Sequence, residues 1–276
     1  MEIRSGREEK YPYSLSRWTD IPGSESKWAW FLNVLSQGEM FAFDPKTAFP
    51  SVWSLKPEDT LGLNFWTKDP TNLLIKRDLL RPYKVKVHLT ATGWEEVEKG
   101  APSLKESKDL LTEAAYTFRP ENVIWRFSPI PLVPNVVTRF SRIAEAAHTA
   151  GLKKVYVAFL QENDRVPETR SPLERYALLQ LMANEVRTAG IEVLLCNDDH
   201  SLLELMDSKP TNLSLGVCAG PEDWDGLPPS EGCGCALMVD PFTINESCNF
   251  ACSYCYSADQ RLSPKKHNTT HLPMVR

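Results

Sequence analysis

The sequence predicts an α/β fold in which a parallel sheet curls into a complete or partial β/α barrel. Two observations support this. Short apolar runs rich in β-branched and aromatic residues alternate along the chain with amphipathic helices. Several of these runs are apolar throughout, which is typical of strands covered on both faces. With 276 residues, 42% of them hydrophobic, the chain can bury one large core.

Four helices are predicted from their capping residues and apolar spacing. The clearest starts after Ser171, with Pro172 in the first helical position and Glu174 completing a capping box, and it ends at Gly190. Its buried face is expected to contain Leu173, Ala177, Leu178, Leu181, Met182, Val186 and Ala189. The other helices are expected at 26–37, 103–118 and 137–150.

Six strands are predicted between these helices. They are expected at 62–67, 85–93, 122–127, 154–160, 192–198 and 235–244. The segment 39–60 breaks the alternation and predicts either a hairpin or an excursion beside the barrel mouth, and 218–235 predicts a loop that contains cysteines. We expect residues 1–256 to form a single domain and residues 257–276 an exposed tail.

Polar residues recur where the predicted strands end. Because the carboxyl ends of parallel strands meet at one edge, we expect the functional site at that edge. The alternative is that strand ends are polar simply because they meet water. Arg126 is harder to explain in this way, since it follows an apolar run and arginine is rarely buried unpaired. The polar residues are Arg17, Thr19, Asp20, Thr67, Lys68, Thr90, Thr92, Arg126, Gln161, Glu162, Asn197 and Asp198.

Composition limits the classes of function. A net charge of -5 and a pI near 5.7 argue against a protein that coats nucleic acid through its overall charge, although a local basic patch is compatible with them. The sequence shows no signal peptide and no apolar run of membrane-spanning length, so we expect a cytoplasmic protein without a membrane partner. Three of the seven cysteines lie within eight residues, which favours metal ligation in a reducing compartment over disulfides.

The three closely spaced cysteines are Cys248, Cys252 and Cys255, separated by three residues and then by two. Three thiolates leave one iron of a 4Fe-4S cluster without a protein ligand, so that another molecule can bind there. Two alternatives are a zinc site completed by a nearby residue and a chance grouping of buried cysteines. The available fourth zinc ligands are His267, His271 and Cys235.

This cysteine loop, with an aromatic residue before the third cysteine, resembles the cluster motif of the radical S-adenosylmethionine (SAM) superfamily. The resemblance implies that SAM chelates the open iron through its methionine amine and carboxylate. One electron, supplied by a flavodoxin- or ferredoxin-type reductant, would then cleave SAM to a 5'-deoxyadenosyl radical that abstracts hydrogen from a substrate. We expect Tyr254 and Tyr256 to contact the adenine, and Arg17, Lys68 or Arg126 to bind the carboxylate.

In most members of that superfamily the cluster loop follows the first barrel strand, whereas here it follows the last, so the order is circularly permuted. The chain resembles, over almost its whole length, an uncharacterised-domain family with a C-terminal cysteine cluster of radical SAM type. Two residues depart from that family, which usually has arginine at Trp18 and aspartate at Ser128. The matching segments are SRWTDIP (16–22), NFWTKDP (64–70), LTATGW (89–94), ENVIWRFSPI (121–130), GVC (216–218), GCGC (232–235) and CNFACSYCYS (248–257).

Four further cysteines, Cys196, Cys218, Cys233 and Cys235, equal the number of ligands in a closed iron-sulfur or zinc site. They predict an auxiliary 4Fe-4S cluster or a zinc ion. The alternative is that Cys196 is an ordinary buried strand residue, since cysteine is often buried.

The resemblance also implies a substrate, because some relatives act in phage pathways that elaborate thymine in DNA. In those pathways a radical SAM enzyme would isomerise an amino-acid substituent on the thymine base. A phage-encoded enzyme of this kind would act in the cytoplasm of the host cell. Eight tryptophans that could stack a base, and basic residues, agree with such a substrate. A peptide or small-metabolite substrate and a non-catalytic iron-sulfur or zinc protein are the alternatives. The basic residues are Lys76, Arg77, Arg81, Lys84, Lys86, Arg261, Lys265, Lys266 and Arg276.

Overall fold

A computed structural model describes residues 10–15, 19–43, 50–162, 165–166, 169–196, 202–203, 209–229, 234–240 and 248–255. The strands are β1 (Pro12–Leu15), β2 (Glu39–Phe43), β3 (Pro50–Ser54), β4 (Gly62–Thr67), β5 (Val85–Thr90), β6 (Val123–Ile130), β7 (Lys154–Phe159), β8 (Glu192–Cys196) and β9 (Leu213–Gly216). The α-helices are α1 (Glu25–Gln37), α2 (Thr71–Ile75), α3 (Leu104–Phe118), α4 (Val136–Thr149) and α5 (Pro172–Val186).

Seven of these strands form one parallel sheet, in the order β1-β4-β5-β6-β7-β8-β9. The strands β2 and β3 pair separately as an antiparallel hairpin between β1 and β4, which is one of the two structures predicted for 39–60. The predicted α/β class and parallel sheet are therefore confirmed. The sheet is compatible with a partial barrel but is not closed as a barrel.

The helices cover one face of the sheet. Phe65 of β4 packs against Trp28 and Phe31 of α1, with ring centroids 5.9 and 5.7 Å apart. Trp125 of β6 stacks on Phe140 of α4 at 5.4 Å. Because side chains alternate along a strand, the intervening residues point to the other face, which we call the inner face. The inner face carries Ser14, Asn64, Trp66, His88, Arg126 and Tyr156.

The predicted N-terminal caps of α3 and α5 are confirmed, whereas α5 ends at Val186, before the predicted Gly190. Ser103 and Glu106 form a reciprocal capping box at the start of α3, as Ser171 and Glu174 do at the start of α5. The buried face predicted for α5 is partly wrong, because Ala177 is exposed and Leu173 and Leu181 are 75% and 56% exposed. The predicted Met182 and Val186 are buried, and Leu179 and Ala183 complete a stripe spaced by three and four residues.

The strands β1 and β9 were not predicted. The predicted strand 235–244 is seen only in its first part, where Ala236 and Val239 make isolated bridges, and 241–244 lie outside the described residues. Val239 pairs in parallel with β1, since its N–H donates to the Pro12 carbonyl at 3.1 Å. The Ala236 N–H donates to the carbonyl of Ala219, after β9, at 2.7 Å. Residues 236–239 therefore contact β1 and the chain that follows β9.

The loop after β9 reaches the amino end of the sheet. Its residues Pro221–Asp223 form a 3-10 turn, and the Asp223 carboxylate pairs with Lys86 at 2.8 Å. Lys84 lies over the ring of Trp224, 5.1 Å from its centroid. This loop thus engages two residues of the basic stretch, at the edge opposite the predicted site. No helix in the described part of the chain has the length and apolar character needed to cross a membrane.

Candidate functional site

The Asp20 side chain links the turn after β1 to the end of β4 at the carboxyl edge of the sheet. Its carboxylate accepts hydrogen bonds from the N–H groups of Gly23 and Lys68 at 2.8 and 2.7 Å, and from the Thr67 hydroxyl at 2.8 Å. Burial raises the pKa of Asp20 to about 6, although these hydrogen bonds favour the charged form. The turn after β1 and the end of β4 are therefore held by one buried carboxyl group.

Glu98 is the central acceptor of this edge, and its side chain is only 1% exposed. Its Oε1 accepts a 2.8 Å bond from Lys68 Nζ and a second bond from the Tyr254 hydroxyl. Its Oε2 accepts from the Thr92 hydroxyl at 3.3 Å. Glu98 thereby joins the chain after β4 and β5 to the cysteine loop. Sequence reasoning missed it, since nothing local distinguishes it from Glu95 and Glu96.

The cysteine loop, residues 248–255, is attached to residues 97–100 through the backbone. Glu98 and Cys252 form an antiparallel bridge, and the Gly100 N–H donates to the Phe250 carbonyl at 3.1 Å. A Cβ atom at Gly100 would lie 2.2 Å from the Asn249 carbonyl oxygen, which no folded protein tolerates without movement. The loop therefore lies against a backbone that only glycine allows.

The three thiols of the loop are each partly buried. The Cys255 N–H donates to the Cys252 carbonyl at 3.1 Å and closes a turn between two of them. Burial raises the pKa of the Cys252 thiol to about 12, and the Lys68 charge opposes this rise. The Glu98 carboxylate and the neighbouring Cys248 and Cys255 raise it further. Cysteines bind metals as thiolates, and a bound metal supplies the positive charge that offsets these effects.

This donor set fits an iron-sulfur cluster. Soft thiolate ligands select such clusters, zinc and Cu(I). No three His, Cys, Asp or Glu side chains in the described ranges are placed to hold a metal ion. A cubane cluster makes a different demand, since each cysteine binds a separate iron and the sulfurs stand further apart. Cys248, Cys252 and Cys255 are the residues that would hold it.

The predicted SAM contacts are in different places. Lys68 lies beside the cysteine loop, paired with Glu98. Tyr254 is buried, with its hydroxyl on the same carboxylate. Arg126 lies on the inner face, 5.0 Å from the ring centroid of Trp66. Arg17 and Tyr256 fall outside the described residues. The role of each in SAM binding stays a prediction.

Three of the other four cysteines come together on the inner face. The Cys218 and Cys235 sulfurs are 3.8 Å apart, and Arg126 Nη1 donates to Cys218 Sγ at 3.1 Å. Cys196 packs against the same group, and its interaction with Cys218, helped by the Arg126 charge, lowers the pKa of Cys196. We call Cys196, Cys218 and Cys235 the inner thiol cluster. Cys233 lies outside the described residues.

Beside this cluster, the inner face carries polar groups without partners. His88 stacks on Trp66 with ring centroids 3.8 Å apart, and both are neighbours of Arg126. His88 and Asn64 are fully buried, and their side-chain nitrogen and oxygen atoms have no hydrogen-bond partner among the described residues. Burial, together with the charges of Arg126 and Lys86, holds the pKa of His88 well below its usual value. The imidazole is therefore neutral at pH 7.

Comparison with known proteins adds the family. No curated protein matches the sequence. One family model does, and it covers residues 13–257, from β1 through the end of the cysteine loop. Its description is a domain of unknown function, DUF1848. The match takes in both groups of cysteines and nearly all of the sheet. The chain belongs to the DUF1848 family.

Proposed function

We propose that the protein is a radical SAM enzyme, and that Cys248, Cys252 and Cys255 hold its 4Fe-4S cluster. The observation that carries the proposal is the position of these cysteines, on a loop packed against the carboxyl edge of a parallel sheet. That edge is where α/β proteins of this kind bind their ligands. When bound, the cluster with SAM on its open iron supplies a 5'-deoxyadenosyl radical for hydrogen abstraction.

The path of the chain into the loop supports the same proposal. Val239 runs in parallel beside β1, in the position of a further strand at the edge of the sheet. The cysteine loop starts nine residues later, at Cys248. A cluster loop that directly follows a strand next to β1 is what a circularly permuted radical SAM barrel requires. The open, seven-stranded sheet agrees with a partial barrel.

The described residues give the loop its support and its charge. Glu98 holds Lys68 and Tyr254, and its backbone pairs with Cys252. The Lys68 ammonium therefore lies where its charge favours thiolates, and we propose that it also attracts the carboxylate of SAM. Tyr254 is a positioning residue in this arrangement, because its buried hydroxyl binds Glu98. Arg17, for the carboxylate, and Tyr256, for the adenine, complete the proposal.

The test is SAM cleavage by anaerobically reconstituted, reduced protein. We expect 5'-deoxyadenosine from the wild type and from Ser253→Ala, a matched control whose exposed side chain lies between two cysteines. We expect background levels from Cys252→Ala. Iron analysis of all three proteins shows whether the cluster was present. A wild type that binds about four irons more than Cys252→Ala but yields no more 5'-deoxyadenosine would overturn the proposal in favour of a non-catalytic iron-sulfur protein.

The substrate class that we propose follows from the family resemblance: thymine carrying an amino-acid substituent in DNA. The tryptophans offer it limited support, since Trp28, Trp53, Trp94, Trp125 and Trp224 are buried. The assay is the rate of SAM cleavage with a modified-thymine oligonucleotide, a peptide pool or free amino acids. Acceleration by the oligonucleotide alone supports the DNA substrate. Acceleration by either other addition, or no DNA binding at low salt, contradicts it.

A further inference from the structure

The inner thiol cluster plays no part in the proposed function, yet three cysteines distant in sequence meet there. Cys196 ends β8, Cys218 follows β9, and Cys235 lies in the segment that returns toward β1. Cys218 and Cys235 are 3% and 6% exposed, and they pack with Tyr156 and Leu194 of the inner face. The fold thus places cysteines from the end of β8, the loop after β9 and the segment 234–240 in one cluster.

The position of Arg126 is a second observation that indicates a metal, and it is independent of the contacts among the cysteines themselves. The Arg126 guanidinium donates to Cys218 and lies near Cys196, and no carboxylate forms an ion pair with it within the described ranges. A partly buried guanidinium needs an anionic partner to offset the loss of hydration. A neutral thiol is a weak acceptor, whereas a thiolate is a strong one. The cation on the inner face therefore matches thiolates rather than thiols.

Two chemistries use grouped cysteines of this kind. A disulfide between Cys218 and Cys235 would use two sulfurs and leave Cys196 alone with Arg126. A thiophilic metal uses three or four sulfurs and keeps all of them as thiolates. Three cysteine sulfurs in one cluster, with the Arg126 guanidinium hydrogen-bonded to Cys218, favour the metal. A guanidinium that donates to a ligating sulfur also offsets the negative charge of a thiolate-rich centre.

We propose that Cys196, Cys218 and Cys235 bind a second thiophilic metal centre, either zinc or an iron-sulfur cluster, with Arg126 hydrogen-bonded to the Cys218 sulfur. Each thiol releases its proton to solvent on ligation. In the present side-chain positions the three sulfurs are not placed to hold one metal ion, so binding requires rotations about their Cα–Cβ bonds. The centre would fasten the loop after β9, and the segment that leads to the cysteine loop, to the end of β8.

The experiment uses a full-length chain in which Cys248, Cys252 and Cys255 are replaced by serine, so that only the second centre can remain. The protein is purified anaerobically and offered either zinc or iron with sulfide. Metal and sulfide are then counted per chain. We expect about one zinc, or the irons and sulfides of one cluster, to remain bound. Zinc without sulfide identifies the ion, and iron with matching sulfide identifies the cluster.

Adding Cys218→Ser to this chain should reduce the bound metal to less than about a tenth of an equivalent. Adding Ile124→Val, which lies in the same apolar cluster but cannot ligate a metal, should leave it unchanged. Circular dichroism checks that each chain is folded. If the serine variants fail to fold, Cys218→Ser is compared with the otherwise wild-type chain, where we expect one metal centre to be lost and one to remain.

Three results would overturn the proposal: no metal in either preparation, metal that persists after Cys218→Ser, or a Cys218–Cys235 disulfide in metal-free, anaerobically purified protein. None of them bears on the proposed radical SAM activity, which depends on Cys252 and is measured by 5'-deoxyadenosine. The two proposals therefore fail separately.

Discussion

Replacement of Glu98 should destabilise the fold and remove the side-chain contacts that hold the cysteine loop. The carboxylate is 1% exposed and accepts bonds from Lys68, Tyr254 and Thr92. In Glu98→Ala the Lys68 ammonium, whose side chain is 14% exposed, loses its partner in a largely buried site. Removal of one member of a buried ion pair costs about 3–5 kcal/mol. We expect the free energy of unfolding to fall by about that amount.

Glu98→Gln provides the graded comparison. Its amide oxygen can still accept from Lys68 and Tyr254, and its NH2 group can donate to the Thr92 hydroxyl. Only the charge is lost, so we expect a cost of about 1–2 kcal/mol. The double variant Lys68→Met/Glu98→Ala leaves no unpaired charge, and it should cost less than the sum of the two single changes.

Urea unfolding at pH 7, followed by circular dichroism, gives these free energies, and iron content after reconstitution reports on the loop. We expect iron occupancy to fall in the order wild type, Glu98→Gln, Glu98→Ala. The reasoning would be refuted if Glu98→Ala lowered the free energy of unfolding by less than about 1 kcal/mol, because removing one member of a buried ion pair destabilises a protein by more than that. Additive single changes at Lys68 and Glu98 would equally show that the two side chains are not coupled.

Three further predictions concern single residues. The pKa of Asp20 is raised from 3.8 to about 6, so its protonated form stabilises the fold by about 3 kcal/mol below pH 3.8. This contribution is lost as the pH rises through 6, and urea unfolding of Asp20→Asn should not show that loss of stability. His88 is buried neutral, so stability should fall by up to about 1.4 kcal/mol per pH unit below 6.5, and His88→Gln should remove this slope in the same titration. Gly100→Ala should displace the loop and lower iron uptake, because its Cβ would lie 2.2 Å from the Asn249 oxygen. Gly190→Ala strains only the local backbone at φ +65°, since its Cβ meets no atom within 4 Å, and it should leave iron uptake unchanged.

Features encoded over a few residues could be predicted from the sequence. The capping box of Ser103 and Glu106 involves side chains three residues apart, so the start of α3 follows from local chemistry. The buried face of α5 depends on its partners, and Leu181 is exposed although its spacing suits a core position. β1 and β9 have four residues each, too few for a clear strand pattern.

The candidate site shows the same division. Cysteine spacing identifies Cys248, Cys252 and Cys255, because one cluster binds side chains close together in the sequence. Glu98 and Tyr254 are 156 residues apart, and only the folded sheet brings them together. The inner thiol cluster lies between these cases. The number of remaining cysteines suggested it, but only the fold places Cys218 beside Cys235 and bonds Arg126 to Cys218.

The position of Arg126 allows two roles, and replacing its side chain distinguishes them. As a ligand of the SAM carboxylate, its replacement by methionine would weaken SAM binding and leave the second metal in place. As the cation of the inner thiol cluster, the same change would reduce the second metal and leave SAM affinity unaltered. We expect the second result, because the guanidinium already donates to Cys218 at 3.1 Å and lies over Trp66, whereas Lys68 is the cation at the cysteine loop. Metal content and the SAM dissociation constant of Arg126→Met, measured on the same preparation, decide between the two roles. Weaker SAM binding with full metal content would show that Arg126 binds the SAM carboxylate.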